Sequence, residues 1–379
     1  MPSIATRGAL SAKGYGYGFG YGYGFGFVIG GSFLWSWGYN NYGQLGLGNT
    51  TYYSSPKQVG ALTTWKTIAG GWYHTMAVKT DGTLWSWGQN NYGQLGLGNV
   101  TYYSSPKQVG ALTTWKTIAG GSDHTIAVKT DGSLWTWGRS NFGQLGLGNT
   151  TYYSSPKQVG ALTTWKTIAV GSYHTIAVKT DGTLWTWGYN PFGQLGLGNV
   201  TNYSSPKQVG ALTTWLNIAG GQSHTMAVKT DGTLWSWGQN SYGQLGLGNV
   251  TYYSSPKQVG ALTTWKTIAS SPRNHTIAVK TDGTLWSWGY NNSGQLGVGN
   301  TTNYSSPKQV GALTTWLNIA GGGYSTMAVK TDGSLWSWGH NAYGQLGLGN
   351  VTSYSSPKQV GALTTWKTIA AGAFHTIAT

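Results

Sequence analysis

Residues 54–98 read SSPKQVGALTTWKTIAGGWYHTMAVKTDGTLWSWGQNNYGQLGLG, and close copies of this stretch follow one another at a spacing of 50 residues. The segment SSPKQVGALTTW occurs seven times without change, and GQLG also occurs seven times. The pair Trp-x-Trp, first found at Trp35 and Trp37, recurs with the same period, with one residue inserted before Trp286. A period of this length is typical of repeat architectures in which each unit forms a small supersecondary structure.

One repeat contains four short segments with β-strand character. They span residues 56–59, 65–69, 74–79 and 83–87 and are rich in Val, Ile, Thr and Trp, which favour strands. A leading proline suits a strand start, and Asp-Gly predicts a tight hairpin turn because both residues tolerate a positive φ. We predict that the glycine-rich segment 88–105 then crosses to the next unit.

Seven such units predict a closed ring of sheets. Stacking four-stranded sheets in a circle covers their faces and removes the two exposed ends. The predicted fold class is therefore all-β, a seven-bladed β-propeller of four-stranded blades, and an open solenoid is the structural alternative. The last unit ends with strands at 357–360, 366–370 and 375–379. We expect the N-terminal strand 33–37 to pair with 375–379, so that three C-terminal strands and one N-terminal strand close the ring.

The composition excludes several classes of protein. The chain of 379 residues has no cysteine, which excludes a disulfide scaffold and a cysteine-ligated zinc or iron–sulfur site. It has no run of about 18 apolar residues, so we expect no membrane span. The 22 tryptophans supply ample surface to bury, and we interpret the Trp-x-Trp pairs as blade packing.

The net charge of +15 favours an acidic partner. However, most lysines recur singly at fixed intervals, which is more typical of a solubilising surface than of a binding stripe. The sequence contains no specific nucleic-acid-binding motif. The compartment stays open, and an extracellular or virion-associated setting is compatible with the sequence.

The repeat resembles that of the regulator of chromosome condensation family. The matching residues are His74-Thr75, Asp81-Gly82, 84–88, 93–98 and 106–109. The resemblance covers residues 32–379 and implies a seven-bladed propeller with a split closing blade. The repeats look most similar to bacterial and phage-encoded members. Some relatives exchange guanine nucleotide on a small GTPase and others inhibit a β-lactamase, so the resemblance does not select an activity.

The residues that could carry chemistry predict a protein that is not an enzyme. Six histidines occupy one equivalent position, where the remaining unit has Ser325; they are His74, His124, His174, His224, His275 and His375. One histidine per blade is too widely spaced for a single metal ion, and we expect each imidazole to hydrogen bond to nearby backbone. Since the sequence shows no paired carboxylates, nucleophile–base pair or P-loop, we predict no catalytic residues, no cofactor and no metal.

Differences between repeats predict a partner-binding rim. They concentrate at the turn before each histidine and in the loop after each Trp-x-Trp-Gly, which should share one face of the propeller. Aromatic, non-identical loops on a rigid frame suit protein binding; neutral drift after duplication is the alternative. The candidate residues are Trp72, Tyr73, Asp123, Arg139, Tyr173, Tyr189, Gln222, Arg273, Tyr290, Tyr324, His340 and Phe374.

Two further features accompany the repeats. Each unit carries Asn-x-Thr, which would accept a glycan in a glycosylating pathway or serve a turn; the asparagines are Asn49, Asn99, Asn149, Asn199, Asn249, Asn300 and Asn350. Residues 1–31 form a low-complexity arm in which glycine alternates with Tyr and Phe. We expect this arm either to dock on the propeller or a neighbouring subunit, or to stay loosely packed.

Taken together, these features favour a non-catalytic propeller that binds proteins or itself as a structural scaffold. A component of a bacterial, phage or extracellular assembly is one such setting. A regulator similar to the nucleotide-exchange members is the alternative, for which segment 270–274 is the most distinctive loop. An enzyme-inhibitor propeller is the third hypothesis.

Overall fold

The protein is a seven-bladed β-propeller in the computed structural model, which describes residues 32–379. The two expectations for the arm at residues 1–31 lie outside the described residues. Seven four-stranded antiparallel sheets form the blades, and the strands are numbered in chain order. The predicted fold class is confirmed.

Six blades are continuous in sequence. Blade 1 contains β3 (Trp65–Gly70), β4 (His74–Lys79), β5 (Leu84–Gly88) and β6 (Tyr103–Gln108), and blade 2 contains β7 (Trp115–Gly120), β8 (His124–Lys129), β9 (Leu134–Gly138) and β10 (Tyr153–Gln158). Blade 3 contains β11 (Trp165–Val170), β12 (His174–Lys179), β13 (Leu184–Gly188) and β14 (Tyr203–Gln208), and blade 4 contains β15 (Trp215–Gly220), β16 (His224–Lys229), β17 (Leu234–Gly238) and β18 (Tyr253–Gln258). Blade 5 contains β19 (Trp265–Ser270), β20 (His275–Lys280), β21 (Leu285–Gly289) and β22 (Tyr304–Gln309), and blade 6 contains β23 (Trp316–Gly321), β24 (Ser325–Lys330), β25 (Leu335–Gly339) and β26 (Tyr354–Gln359).

Blade 7 closes the ring with strands from both ends of the repeat array. Its order is β2 (Tyr53–Gln58), β1 (Trp35–Gly38), β28 (His375–Ala378) and β27 (Ile369–Ala371). Trp35 pairs with Ala378 and Gly38 with His375, so the predicted pairing of the N-terminal strand is confirmed. The first strand of each blade contacts the first strand of the next, including β27 with β3. This closed circle excludes the open solenoid.

The predicted division of strands between blades is wrong in one respect. Two N-terminal strands, rather than one, join two C-terminal strands, because each proline-containing strand is the last strand of the preceding sheet. The glycine-rich segment after Trp-x-Trp-Gly does not cross to the next blade. Asn90 folds it into a compact loop, since its Nδ2 donates to the carbonyls of Asn99 and Thr101 and its Oδ1 accepts the N–H of Leu95.

The hydrophobic core lies between neighbouring blades. Between blades 1 and 2, for example, Met76 and Leu84 pack with Ile118 and Trp137. The second tryptophan of each Trp-x-Trp pair is fully buried, whereas the first is partly exposed. The interpretation of the pairs as blade packing therefore holds fully for the second tryptophan and only partly for the first.

The GQLG motif connects one blade to the next. The carbonyl of Gln44, in the loop of blade 7, accepts hydrogen bonds from Thr75 Oγ1 at 2.8 Å and Trp87 Nε1 at 2.9 Å in blade 1. Gly46 has a φ of +73°, and a Cβ there would lie 2.7 Å from Trp87 Nε1. Glycine is required because the loop must adopt this conformation while touching the indole.

Candidate protein-interaction face

The connections between strands divide into two opposite faces, as the repeat pattern predicts. We call the first the variable face; it contains turns 71–73, loops 89–102 and their equivalents in the other blades. The N–H of Gln89 donates to the carbonyl of Tyr73 there. The constant face contains turns 80–82 and connections 109–114 with their equivalents, and the N–H of Trp115 donates to the carbonyl of Gly82.

Backbone hydrogen bonds join the turns of the variable face around the propeller axis. The N–H of Trp72 donates to the carbonyl of Gly121, and five further bonds continue the circle. These run from Ser122 to Ser172, Ser172 to Gly221, Gln222 to Arg273, Gly323 to Ala373 and Ala373 to Trp72. Because any residue except proline can donate such a bond, the side chains at these turns are free to differ.

The turn of blade 5 is the exception to this circle. It contains Pro272, which has no N–H, at the position equivalent to Trp72. Ser271 replaces the missing donor, since its Oγ donates to the carbonyl of Gly323 at 3.2 Å. The same oxygen accepts the N–H of Arg273 at 2.8 Å, which holds the inserted residue in place.

Beneath the variable face, the histidines link neighbouring blades through side chains. His74 Nε2 lies 3.2 Å from Thr125 Oγ1, and His375 closes the set with Thr75 at 3.0 Å. Each threonine hydroxyl already donates its proton to a glutamine carbonyl, as Thr125 does to Gln94. The imidazole must therefore donate its Nε2–H to the threonine. The expectation of hydrogen bonds to backbone is wrong, because Nε2 of each imidazole is paired with a threonine hydroxyl and Nδ1 has no partner among the described residues.

Burial keeps these histidines neutral. Desolvation lowers the pKa of His74, with smaller contributions from His375 and His124, to about 3. The other five buried histidines have pKa values lowered by desolvation to about 3 as well. Across residues 32–379, no group of three or more His, Cys, Asp or Glu side chains is placed to hold a metal ion.

Aromatic side chains on the variable face form a connected layer. Phe374 stacks on Tyr73 with ring centroids 6.4 Å apart and contacts Tyr324 and His340 at 6.2 Å each. Burial, followed by the neighbouring hydroxyl of Tyr39, raises the pKa of Tyr73, so the phenol is neutral at physiological pH. The layer thus presents rings and hydroxyl groups with little charge.

A single arginine spans the centre of this layer. The guanidinium carbon of Arg273, in blade 5, lies 5.0 Å from the ring centroid of Trp72 in blade 1 and 5.2 Å from that of Tyr324 in blade 6. Both distances allow cation–π attraction. Since blades 1 and 5 are not neighbours, Arg273 and Trp72 reach towards each other over the axis.

A second charged group lies at blades 2 and 3. Arg139 Nη1 donates to Asp123 Oδ2 at 3.1 Å, and its guanidinium carbon lies 5.7 Å from the centroid of Tyr173. Burial raises the pKa of Asp123 although Arg139 acts to lower it. The burial of this carboxylate therefore outweighs its attraction to the arginine.

The structure brings all twelve candidate residues into one contact network. Asp123, Arg139, Tyr173, Trp72 and Tyr73 form one continuous series. The remaining members attach to it through ring contacts or, for Gln222, through its backbone bond to Arg273; they are Tyr189, Tyr290, Tyr324, His340, Phe374, Arg273 and Gln222.

The candidate set missed a position in the second half of the loop. Tyr52 lies 4.9 Å from Tyr39 between ring centroids, and its hydroxyl donates to Asn41. The signal was present in the sequence, since equivalent positions carry Asn202 and Ser353. The position lies ten residues after Tyr42, in the half of the loop that leads into the next strand.

The asparagines of Asn-x-Thr serve turns. Asn49 Oδ1 accepts the N–H of Thr51 at 3.0 Å, and its Nδ2 donates to the hydroxyl of Tyr53. The bond to the N–H two residues later recurs at all seven asparagines. This pattern is that of an Asx turn; glycosylation stays a prediction.

Thirteen lysines lie against aromatic rings outside the aromatic layer of the variable face. Six lie at the constant face, where Lys79 Nζ is 3.7 Å from the ring centroid of Trp85, and seven lie on the outermost strands beside a tyrosine, as Lys57 beside Tyr53. Five of the six at the constant face are only 8% exposed and Lys179 is partly buried, so these six contribute little to the solubilising surface expected from their spacing.

Family profiles match the chain over nearly its whole repeat region. The profile described as "Regulator of chromosome condensation (RCC1) repeat" matches residues 33–78, 81–128, 131–178, 181–228, 231–279, 282–329 and 332–379. The chain belongs to the RCC1 repeat family. Across residues 32–379 there is no helix long and apolar enough to cross a membrane.

Individual relatives share only short stretches with this RCC1-repeat chain. Protein RCC2 of mouse is 45% identical over 40 residues, which are 11% of this chain and 8% of the relative. The ultraviolet-B receptor UVR8 of Arabidopsis thaliana is 53% identical over 36 residues, 10% of this chain and 8% of the relative. These relatives are eukaryotic, so the likeness to bacterial and phage-encoded members stays a prediction.

Solved structures of RCC1-like propellers share the fold. Human WBSCR16 has a TM-score of 0.82 at 21% identity, covering 91% of this chain and 98% of that protein. Prp20p of Saccharomyces cerevisiae, reported with its binding properties to Gsp1p and histones, has a TM-score of 0.82 at 22% identity, covering 93% and 92%. At these identities the likeness establishes the fold and no activity.

Proposed function

We propose that the chain is a non-catalytic binding scaffold and that its variable face docks a protein partner. The carrying observation is the connected aromatic layer, in which Arg273 spans the axis between Trp72 and Tyr324. Tryptophan, tyrosine and arginine are the residues most enriched at binding hot spots. The layer also has few long flexible side chains, which reduces the entropy lost on binding.

The bonding beneath the layer supports the same proposal. Backbone bonds and the histidine–threonine pairs hold the turns together, so the exposed parts of the rings are not needed to hold the blades. A rigid frame with independent surface side chains is the arrangement that binding loops use. The seven units therefore supply a fixed platform, and the differences among them supply a surface with no repeat symmetry.

The setting of this scaffold is a hypothesis that the repeats motivate. We place it in a bacterial, phage or extracellular assembly, in which the partner is either another component or a second copy of the chain. Self-association would appear as a concentration-dependent mass in analytical ultracentrifugation.

Alanine substitution of Trp72, Tyr173, Arg273 and Tyr324 tests the proposed face. The partner is first captured by cross-linking from the native source and purified, and its affinity is then measured by biosensor. We expect Arg273→Ala to weaken binding by at least about tenfold, because a hot-spot residue contributes more than about 1–2 kcal/mol. Unchanged affinity in all four variants would exclude the variable face.

A matched control uses four half-exposed leucines at the constant face. Leu62, Leu112, Leu162 and Leu212 are each 49% exposed, and their replacement by alanine removes comparable apolar surface from the opposite side. We expect this fourfold variant to bind the partner with the affinity of the unmodified chain. Equal losses in both sets would show that the partner does not distinguish the faces.

A nucleotide-exchange regulator is the second candidate function. The observation that favours it is the inserted residue in blade 5, which makes one turn different from the other six and places Arg273 at the axis. Release of a fluorescent guanine nucleotide from a small GTPase tests this activity. Acceleration by the unmodified chain and its loss in Arg273→Ala would favour exchange over simple binding.

A further inference from the structure

A concave pocket recurs between consecutive blades, near the constant face. The pocket between blades 7 and 1 has a volume of about 420 Å³, and Leu62, Trp65, Lys79 and Trp85 contribute to its walls. Four other grooves contain pockets of about 360 to about 440 Å³ with equivalent leucine and tryptophan walls, and three of the four also include the equivalent lysine. This volume is in the range of sites that hold small molecules.

One wall of each pocket is an indole ring held in a fixed orientation. Trp85 Nε1 donates to Thr83 Oγ1 at 2.9 Å, and that hydroxyl donates to Asp81 Oδ1 at 2.7 Å. The arrangement recurs in blades 1–6, with serine in place of threonine in blades 2 and 6. The indole N–H is therefore already paired, and the ring can offer a ligand only the part of its apolar surface that Lys79 does not cover.

The ammonium group of the pocket has no acceptor of its own. Lys79 is 8% exposed, and its Nζ lies 3.7 Å from the centroid of Trp85 and 5.0 Å from that of Trp65. Among the residues that the structure describes, it has no hydrogen bond and no ion pair; Asp81 acts on it only from a distance. An ammonium carries three N–H donors, so a ligand that enters the pocket meets donors that no protein acceptor occupies.

The lining therefore combines flat apolar walls with an unpaired cation and no acidic side chain among its residues. We propose that these pockets bind the sugar units of an acidic polysaccharide, as a second binding surface separate from the proposed protein-binding face. The carboxylate of a uronic acid accepts hydrogen bonds from Lys79, and the C–H-rich face of its ring packs against the indole and leucine walls. The side-chain amide of Gln58 at the rim can donate to a sugar hydroxyl.

Repetition of the pocket favours a polymer over a single small anion. Equivalent lysines lie on their tryptophans in six blades; they are Lys79, Lys129, Lys179, Lys229, Lys280 and Lys330. We therefore expect six sites, one for each of these lysines. A chain of identical acidic sugars can occupy several of them at once, and each added contact raises the avidity.

The test compares two variants with equal charge. One replaces the six pocket lysines by methionine; the other replaces six lysines of the outer strands by methionine, at Lys57, Lys107, Lys157, Lys207, Lys257 and Lys308. Binding to immobilised polygalacturonate is measured at an ionic strength of about 0.15 M, where the screening length is about 8 Å. We expect the pocket variant to lose at least about 100-fold in avidity and the outer-strand variant to retain most of it.

Three outcomes would overturn the proposal. Equal losses in the two variants would mean that net charge alone attracts the polymer. Equal binding of neutral dextran would show that the carboxylate is not recognised. Equal binding of polyglutamate, or of phosphatidylserine vesicles, would show that the pockets do not select a sugar ring.

A second measurement does not depend on the sixfold variant folding. Single Lys79→Met and Lys179→Met chains are titrated with trigalacturonate, and bound ligand is counted by equilibrium dialysis. We expect six sites in the unmodified chain and one fewer in each single variant. A count that the substitutions leave unchanged would place the ligand elsewhere.

Discussion

The variable and constant faces are opposite ends of the same strands, yet they are held together in different ways. At the variable face, turns of neighbouring blades are joined by backbone groups, as in the bond from Trp72 N–H to the carbonyl of Gly121. At the constant face a backbone bond also joins neighbouring blades, from Trp115 N–H to the carbonyl of Gly82, but the turn itself is held by specific side chains, through Asp81, Thr83 and Trp85. Sequence can therefore change at the first face and is restricted at the second.

This difference separates stability from recognition. Every residue except proline supplies the backbone donor that the variable turns need, so a turn can acquire a new side chain without a new frame. Blade 5 shows the limit, because Pro272 is accompanied by Ser271, whose hydroxyl replaces the missing donor. Three predictions test this separation, beginning with the largest expected effect.

Acid should unfold the protein by protonating the buried histidines beneath the variable face. The folded-state pKa of each of six histidines is about 3, below the value of about 6.5 in unfolded chains. Their contribution to stability is therefore complete above pH 6.5 and is lost as the pH falls towards 3. Below pH 6.5, each histidine lowers the free energy of unfolding by about 1.4 kcal/mol per pH unit. Six histidines together place the midpoint of acid unfolding at about pH 5 for a protein of ordinary stability.

Tryptophan fluorescence and circular dichroism between pH 7.5 and about pH 3 would measure this transition. His74→Ser, which copies the residue found naturally at Ser325, should reduce the steepness of the acid limb because five histidines remain. Retention of the cooperative fold at about pH 3.5 would contradict the assigned burial of the imidazoles.

Aspartates at the two faces should differ in their effect on stability. Asp81→Ala removes acceptors from the N–H and hydroxyl of Thr83 and releases the tryptophan that Thr83 orients. We expect a loss of about 1 kcal/mol in the free energy of unfolding, because Asp81 is exposed and solvent weakens its two hydrogen bonds. Asp123→Ala should cost less, because the desolvation of this largely buried carboxylate offsets its attraction to Arg139.

Urea unfolding of the two variants side by side gives this comparison. The raised pKa of Asp123, caused by burial, supports the smaller loss because the folded protein does not favour the ionised carboxylate. A larger loss for Asp123→Ala than for Asp81→Ala would reverse the roles assigned to the two faces.

Two fully buried serines of the variable face, Ser271 and Ser122, should differ in their contribution to stability. Ser271→Ala leaves the carbonyl of Gly323 without its donor and the N–H of Arg273 without its acceptor, so we expect a loss of about 1–2 kcal/mol. Ser122→Ala removes a buried hydroxyl that has no hydrogen-bond partner among the described residues and should be neutral or slightly stabilising. Thermal unfolding of both variants measures the difference; equal losses would show that Ser271 does not replace the proline's donor.

The sequence alone was sufficient for the architecture. The sevenfold recurrence of GQLG and Trp-x-Trp sets the number of blades, and the position of Trp35 within the period indicates that the two ends share a sheet. These features are local and periodic, so they can be recognised in the sequence without knowledge of tertiary contacts. The separation of the two faces also follows from the alternation of strand direction alone.

Tertiary structure decided which strands share a sheet and what each repeated side chain does. The proline strand joins the preceding blade because Asn90 closes the intervening loop, and no periodicity distinguishes a loop that returns from one that crosses. The partners of His74 and Lys79 lie 51 residues ahead at Thr125 and six residues ahead at Trp85. Spacing cannot reveal such contacts, because burial and hydrogen bonding depend on how neighbouring strands and blades meet in space.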